Sequence, residues 1–84
     1  MTKQDFAKSL GQRIKAERKR YEMTQKELAK EVGLKDRRRI SQFESGYVTP
    51  NSFYLREIAR VLCCSADWLL RLDEYSATGI DDDD

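Results

Sequence analysis

Three consecutive arginines, Arg37, Arg38 and Arg39, stand just ahead of Ser41, Gln42 and Ser45. If this segment is helical, Ile40 and Phe43 lie three apart on one face, and Arg37, Arg38, Ser41, Gln42 and Ser45 are left on the other. A run of cations at a helix N-terminus opposes the helix dipole, which favours anions there. A nearby phosphate or guanine edge relieves that conflict, whereas a purely structural helix rarely makes this choice. Catalytic chemistry finds little to work with: the chain has no histidine, no credible nucleophile–base pair and no phosphate loop, so no enzyme and no catalytic residue are expected. The only cysteines are the neighbours Cys63 and Cys64. Adjacent cysteines form a strained disulfide, and two alone make no metal site. Free thiols are therefore expected, at least one packed as a small apolar residue, with no metal and no cofactor.

The elements that must position the arginine run can be traced along the chain. Phe6, Leu10, Ile14 and Tyr21 recur at helical spacing and predict an amphipathic helix over about 5–21. Thr24 followed by Glu27 is a capping box, which starts a second, short helix over about 25–32, and Gly33 ends it in a left-handed conformation. A charged turn, with Asp36 as N-cap, leads to the third helix over about 37–45, stopped by Gly46. Residues 48–51 are loop and helix start. A fourth helix over about 52–62 turns Leu55, Ile58, Ala59 and Leu62 inward. Ser65 caps a fifth over about 66–72, whose Trp68, Leu69 and Leu72 are expected to close the core.

Eighty-four residues fit one domain. The hydrophobic and charged shares, 39% and 37%, suit a folded helical protein and not a disordered one. The net charge of +1 hides an asymmetry: all 16 Lys and Arg lie before residue 73 against nine acidic residues, giving +7, and the last twelve residues carry −6. The expected organisation is a domain over 1–74 and an acidic, polar tail over 75–84. No apolar run is long enough for a membrane span, and the start lacks a signal-peptide core, which points to a cytoplasmic location.

Two short helices joined by a tight glycine turn inside a basic all-α domain suggest a helix-turn-helix at the second and third helices. Ala29 supplies the small residue that a close crossing needs, and Gly33 the positive φ of the turn. The segment LGQRIKAERKRYEMTQKELAKEVGL…ISQFESGYVTP…LREIARVLCCSADWLL resembles the phage Cro/repressor class of helix-turn-helix proteins over about residues 10–72. The marks are the TQ-KELA segment, Glu44-Ser-Gly46, the IA-x-x-L of the fourth helix and the SADWLL of the fifth, in order and at matching spacing.

The resemblance implies a compact five-helix, lambda-repressor-like fold and a sequence-specific DNA-binding regulator, a repressor acting as a homodimer on a palindromic operator. It implies base reading by Arg37, Arg38, Ser41 and Gln42, and phosphate contact by Gln25, Lys26, Arg39, Ser45 and Tyr47. It also implies a buried ion pair between Arg18 and Glu44. Double-stranded DNA is then the main partner, with no membrane and no small-molecule ligand. The alternative is an antitoxin or interaction module that also binds a partner protein, which the Asp81–Asp84 run would favour. Two departures stand out. Six residues separate Gly33 from Ile40 where the common pattern has five, so the first recognition residue is Arg37 counted back from Ile40 but Asp36 counted forward from Gly33. Cys63 occupies a helix end where the family prefers Gly or Asn.

Overall fold

The computed structural model describes residues 2–70, which form five helices and no strand: α1 (Lys3–Arg20), α2 (Gln25–Glu31), α3 (Arg38–Ser45), α4 (Ser52–Val61) and α5 (Ala66–Leu70). The expected continuation of the last helix to Leu72 and the acidic tail of 75–84 lie outside the described residues. No helix among the described residues is long and apolar enough to cross a membrane.

Side-chain caps mark where four of the helices begin; at α5 the Ser65 hydroxyl accepts the Trp68 N–H at 3.2 Å, as expected. The Thr24 hydroxyl accepts the Glu27 N–H at 3.0 Å, and the Glu27 carboxylate accepts the Thr24 N–H at 2.8 Å, as the capping box predicted. The same reciprocal pair between Thr2 and Asp5 starts α1 at Lys3, two residues earlier than its apolar spacing suggests. The hydrogen bonds from Thr2 hold the Asp5 carboxyl below its usual range. Asn51 caps α4 by accepting the Tyr54 N–H at 2.9 Å.

Four helices end alike. After α1, α2, α3 and α4 the chain enters the left-handed region at Glu22, Gly33, Gly46 and Cys63, with φ of 56°, 87°, 83° and 51°. The following amide then reaches back five residues, as in Leu34 N–H to Ala29 O at 2.8 Å and Cys64 N–H to Ala59 O at 3.0 Å. This closure satisfies carbonyls the helix leaves unpaired. Glycine enters that region without steric penalty; Cys63 and Glu22 do not.

The buried stripe of α1 is Ala7, Leu10, Gly11, Ile14 and Arg18. Tyr21, expected on this stripe, is 46% exposed, because the helix has already ended and the position one turn after Ile14 belongs to Arg18. Around Ile14 the core gathers Leu28 and Ala29 from α2, Ile40 and Phe43 from α3, Ile58, Ala59 and Leu62 from the α4 region, and Leu69 from α5. Leu55 is half-buried against it. Trp68 departs from expectation: Leu69 is fully buried, so its neighbour Trp68 is turned aside and remains 43% exposed, with the Arg13 guanidinium 5.8 Å from its ring centroid. Both cysteines are free. Cys64 is half-buried against the core, and burial, helped by Glu17 and Cys63, pushes its thiol pKa up.

Gly11 sets how closely α1 approaches α3. A Cβ at this position would stand 2.3 Å from the Phe43 carbonyl oxygen and 2.5 Å from that of Glu44. Both are backbone atoms, so the helix itself would have to move. Gly11→Ala is therefore expected to destabilise the domain by about 1–3 kcal/mol despite alanine's better helix propensity, read as a lower urea midpoint. Cys63→Gly is expected to act the other way. Relief of the left-handed strain, about 1–2 kcal/mol, exceeds the added unfolded-state entropy of glycine, about 0.5–1 kcal/mol. A raised midpoint in the same measurement checks it.

Candidate nucleic-acid interface

The surface begins at the turn between α2 and α3. Ala29 is 1% exposed under that crossing, and Gly33 reverses the chain at φ 87°. The link after Gly33 runs to Arg37, and α3 starts at Arg38 with Ile40 fully buried. Arg37 is the N-cap of α3 and not its first residue: its carbonyl accepts the first helical bond, from Ser41 N–H at 2.9 Å, and its side chain makes no cap. Asp36, expected at the N-cap, stands one residue earlier but still satisfies the helix start. Its Oδ1 accepts the Arg38 N–H at 2.9 Å, and its Oδ2 lies 3.9 Å from Arg38 Nη2.

Behind this turn lies an ion pair with side chains only 9% and 4% exposed. Arg18 Nε donates to Glu44 Oε2 at 2.6 Å and Nη2 to Oε1 at 3.0 Å, a two-pronged arrangement across α1 and α3. The third nitrogen, Nη1, donates to the Met23 carbonyl at 2.7 Å, which ties down the loop before α2. Glu44 Oε1 also accepts from Gln25 Nε2 at 3.0 Å, and Gln25 Oε1 accepts from Arg37 Nη1 at 3.1 Å. A continuous chain of hydrogen bonds thus runs from a buried charge to an exposed arginine at the start of α3.

The inward side of α3 is Ile40, Phe43 and Glu44. Its outward side carries Arg38, Ser41 and Gln42, at the three- and four-residue spacing that puts side chains on one helix face. Two open grooves flank this face. One, of about 370 Å³, is lined by Leu34, Lys35, Asp36, Arg38, Arg39 and Gln42. The other, of about 380 Å³, is lined by Asp36, Arg37, Arg38, Ser41 and Gln42. The exposed guanidinium of Arg38 and the half-buried hydroxyl and amide of Ser41 and Gln42 can in this arrangement donate to the acceptors on base edges and phosphates.

A helix-turn-helix family model matches residues 14–69, two thirds of the chain. The chain belongs to the helix-turn-helix family. It is similar to Repressor protein C2 of Salmonella phage P22, at 39% identity over 64 residues, which cover 76% of this chain and 29% of that protein. The chain therefore spans less than a third of the length of this curated relative. It is also similar to the P22 c2 repressor solved in complex with synthetic operator 9T in the presence of Tl+. That match has a TM-score of 0.70 and 39% identity, and covers 74% of this chain and 92% of the other.

Within this helix-turn-helix the residues expected to act on DNA are not all placed alike. Arg38, Ser41 and Gln42 share the outward face. Arg37 sits at its edge, bonded to Gln25. Arg39 is exposed on the side of the groove lined by Lys35. Lys26 is exposed on the first turn of α2, and Tyr47 is 78% exposed beyond Gly46. The Ser45 hydroxyl donates to the Gln42 carbonyl and accepts from the Tyr47 N–H, which fixes the end of α3. Gln25, expected to meet phosphate, has both ends of its amide engaged inside the protein, which leaves one Nε2 hydrogen for an external acceptor. Sequence reasoning missed the link from Gln25 to Glu44 and Arg37, because residues 12 and 19 positions apart leave no local signal. It also missed Gly11, and the available signal was a lone glycine in the middle of a helix that holds no other Gly and no Pro.

The buried pair sets a stability prediction. Glu44→Gln keeps the shape but leaves the Arg18 charge without its counter-ion, and is expected to cost about 3–5 kcal/mol. A small domain holds only about 5–15 kcal/mol in total, so the variant should be close to unfolding at ambient temperature. Replacing both partners, Arg18→Met with Glu44→Leu, is expected to lose less than the single change. Urea unfolding of the three proteins checks the order.

Proposed function

We propose that this domain is a sequence-specific DNA-binding transcriptional repressor in which α3 enters the major groove. The observation that carries the reading is the outward face of Arg38, Ser41 and Gln42 on a helix whose other face is locked into the core. The likeness to a repressor solved on its operator supports it. Arg38 suits the O6 and N7 acceptors of guanine, and Gln42 suits adenine, which takes one hydrogen bond and gives another. Arg37 joins them as a base-reading residue at the edge of the face, with Ser41 between them. Gln25, Lys26, Arg39, Ser45 and Tyr47 surround the face and are assigned to the phosphate backbone, which sets register and supplies the salt-sensitive part of affinity. The repressor acts as a homodimer on a palindromic operator, with two recognition helices about 34 Å apart. The antitoxin alternative rests on Asp81–Asp84, outside the described residues, and no described contact favours it.

Selection of bound sequences from a random duplex pool tests binding, symmetry and half-site spacing together. Enrichment of a two-fold-symmetric site is expected, and enrichment of no sequence would overturn the proposal. On the selected site, Arg38→Ala and Gln42→Ala should each lose about 1–3 kcal/mol and relax preference at one base pair. Gln25→Ala should instead weaken cognate and random duplexes alike. An unchanged cognate-to-random ratio in both α3 variants would show that these residues do not read bases.

A further inference from the structure

The residue at the mouth of the interface whose charge opposes DNA binding is Asp36. It lines both grooves beside the outward face of α3, together with Arg38 and Gln42. Phosphate repels a carboxylate there, and no acidic residue occupies the first turn of α3 itself. Its two oxygens act separately on one neighbour: Oδ1 takes the Arg38 amide hydrogen at 2.9 Å, and Oδ2 stands 3.9 Å from the Arg38 guanidinium. Both side chains are open to solvent, 59% and 81% exposed, so the carboxylate is available to whatever approaches.

The cap alone does not require a charge. A neutral amide or hydroxyl oxygen also accepts a helix N-terminal N–H, and serine and asparagine serve as caps as well as aspartate does. What the charge adds is a local counter-ion for Arg38. Non-specific affinity comes from neutralising phosphates, and an arginine already faced by a carboxylate gains less from a phosphate. A guanine edge is different: it is uncharged and offers two acceptors to the fork of the guanidinium, and the carboxylate beside that fork does not repel it.

We propose that Asp36 is a specificity-determining residue, which makes Arg38 discriminate bases from phosphates by holding a negative charge beside its guanidinium. The inference rests on the DNA-reading role of Arg38 proposed above.

The test compares affinities for the selected duplex and a random duplex over a range of salt, in wild type, Asp36→Asn, Arg38→Ala and the double variant. Asparagine keeps the cap oxygen and removes the charge. Asp36→Asn is expected to raise affinity for random DNA more than for the selected site, so that the specificity ratio falls by about 2–5-fold, the range of an exposed ion pair. The salt dependence on random DNA should steepen by up to about 0.9 in log–log slope, one additional phosphate contact. In the Arg38→Ala background the same change should leave the ratio unaltered. An unchanged or increased ratio in the first comparison overturns the proposal. So does an equal fall with and without Arg38, which would mean that Asp36 meets the DNA itself. Asp36→Ser, whose hydroxyl also accepts the Arg38 N–H, replaces the asparagine variant if thermal unfolding shows that one to be unfolded. A wild-type chain that enriches no sequence would count against the DNA-binding reading and would be recognised before any Asp36 variant is measured.

Discussion

Two opposite charges lie almost out of water between α1 and α3, and the rest of the domain is arranged to make that tolerable. Desolvating an arginine and a glutamate is expensive, and the pair is stable only with good geometry and full hydrogen bonding. Arg18 has three of its nitrogens engaged, two on Glu44 and one on the Met23 carbonyl, and Glu44 takes a further bond from Gln25. An arrangement this demanding permits little freedom in the elements that carry it. It fixes α1 against α3 and pins the loop ahead of α2. Through Gln25 it ties the first turn of α2 to the start of α3. The pair contributes little net stability compared with an apolar replacement, but its hydrogen bonds join α1, α3, the loop before α2 and the first turn of α2.

Gly11 complements that constraint by a different physical route. Hydrogen bonds select direction, whereas hard-core repulsion selects distance. With no Cβ at residue 11, the backbone of α1 comes to rest against the carbonyls of Phe43 and Glu44. That approach brings Arg18 and Glu44 within reach of each other. Apolar contacts around Ile14, Leu28 and Ile40 then fill the space between, since all three are fully buried. Close approach, ion pair and core are thus mutually dependent, although their residues are scattered along α1, α2 and α3.

Much of this was legible in the sequence, for reasons that can be stated residue by residue. Helix starts and stops were readable at Thr24, Gly33 and Gly46, because capping depends on residues a few positions apart. The inward stripe of α3 was readable from Ile40 and Phe43 for the same reason. Errors arose where a local pattern competed with tertiary contact. Tyr21 and Trp68 have the size of core residues, but Arg18 takes the last buried position of α1, and of Trp68 and Leu69, both expected inside, only Leu69 is buried. The start of α3 was ambiguous between Asp36 and Arg37, and the structure places it one residue later, at Arg38 with Arg37 as its N-cap. The bonds of Gln25 to Glu44 and Arg37 join positions distant along the chain, and single-sequence periodicity carries no information about them. The Arg18–Glu44 contact was recognised through family resemblance, and periodicity alone would have placed an apolar residue at 18.

The division of α3 into two faces has a further implication. Ile40, Phe43 and Glu44 answer to the interior, where volume and charge pairing allow few substitutes. Arg38 is exposed beside Asp36, and Ser41 and Gln42 are half-buried on the outward side, so packing constrains them less. Substitutions on the outer face should therefore disturb folding less than those on the inner face, so the outward chemistry of α3 can change while its packing is kept. Arg37 is the exception on that surface, since its bond to Gln25 reaches the buried pair. Change there is felt by the scaffold, so the edge of this face is tied more tightly to the fold than Arg38 is.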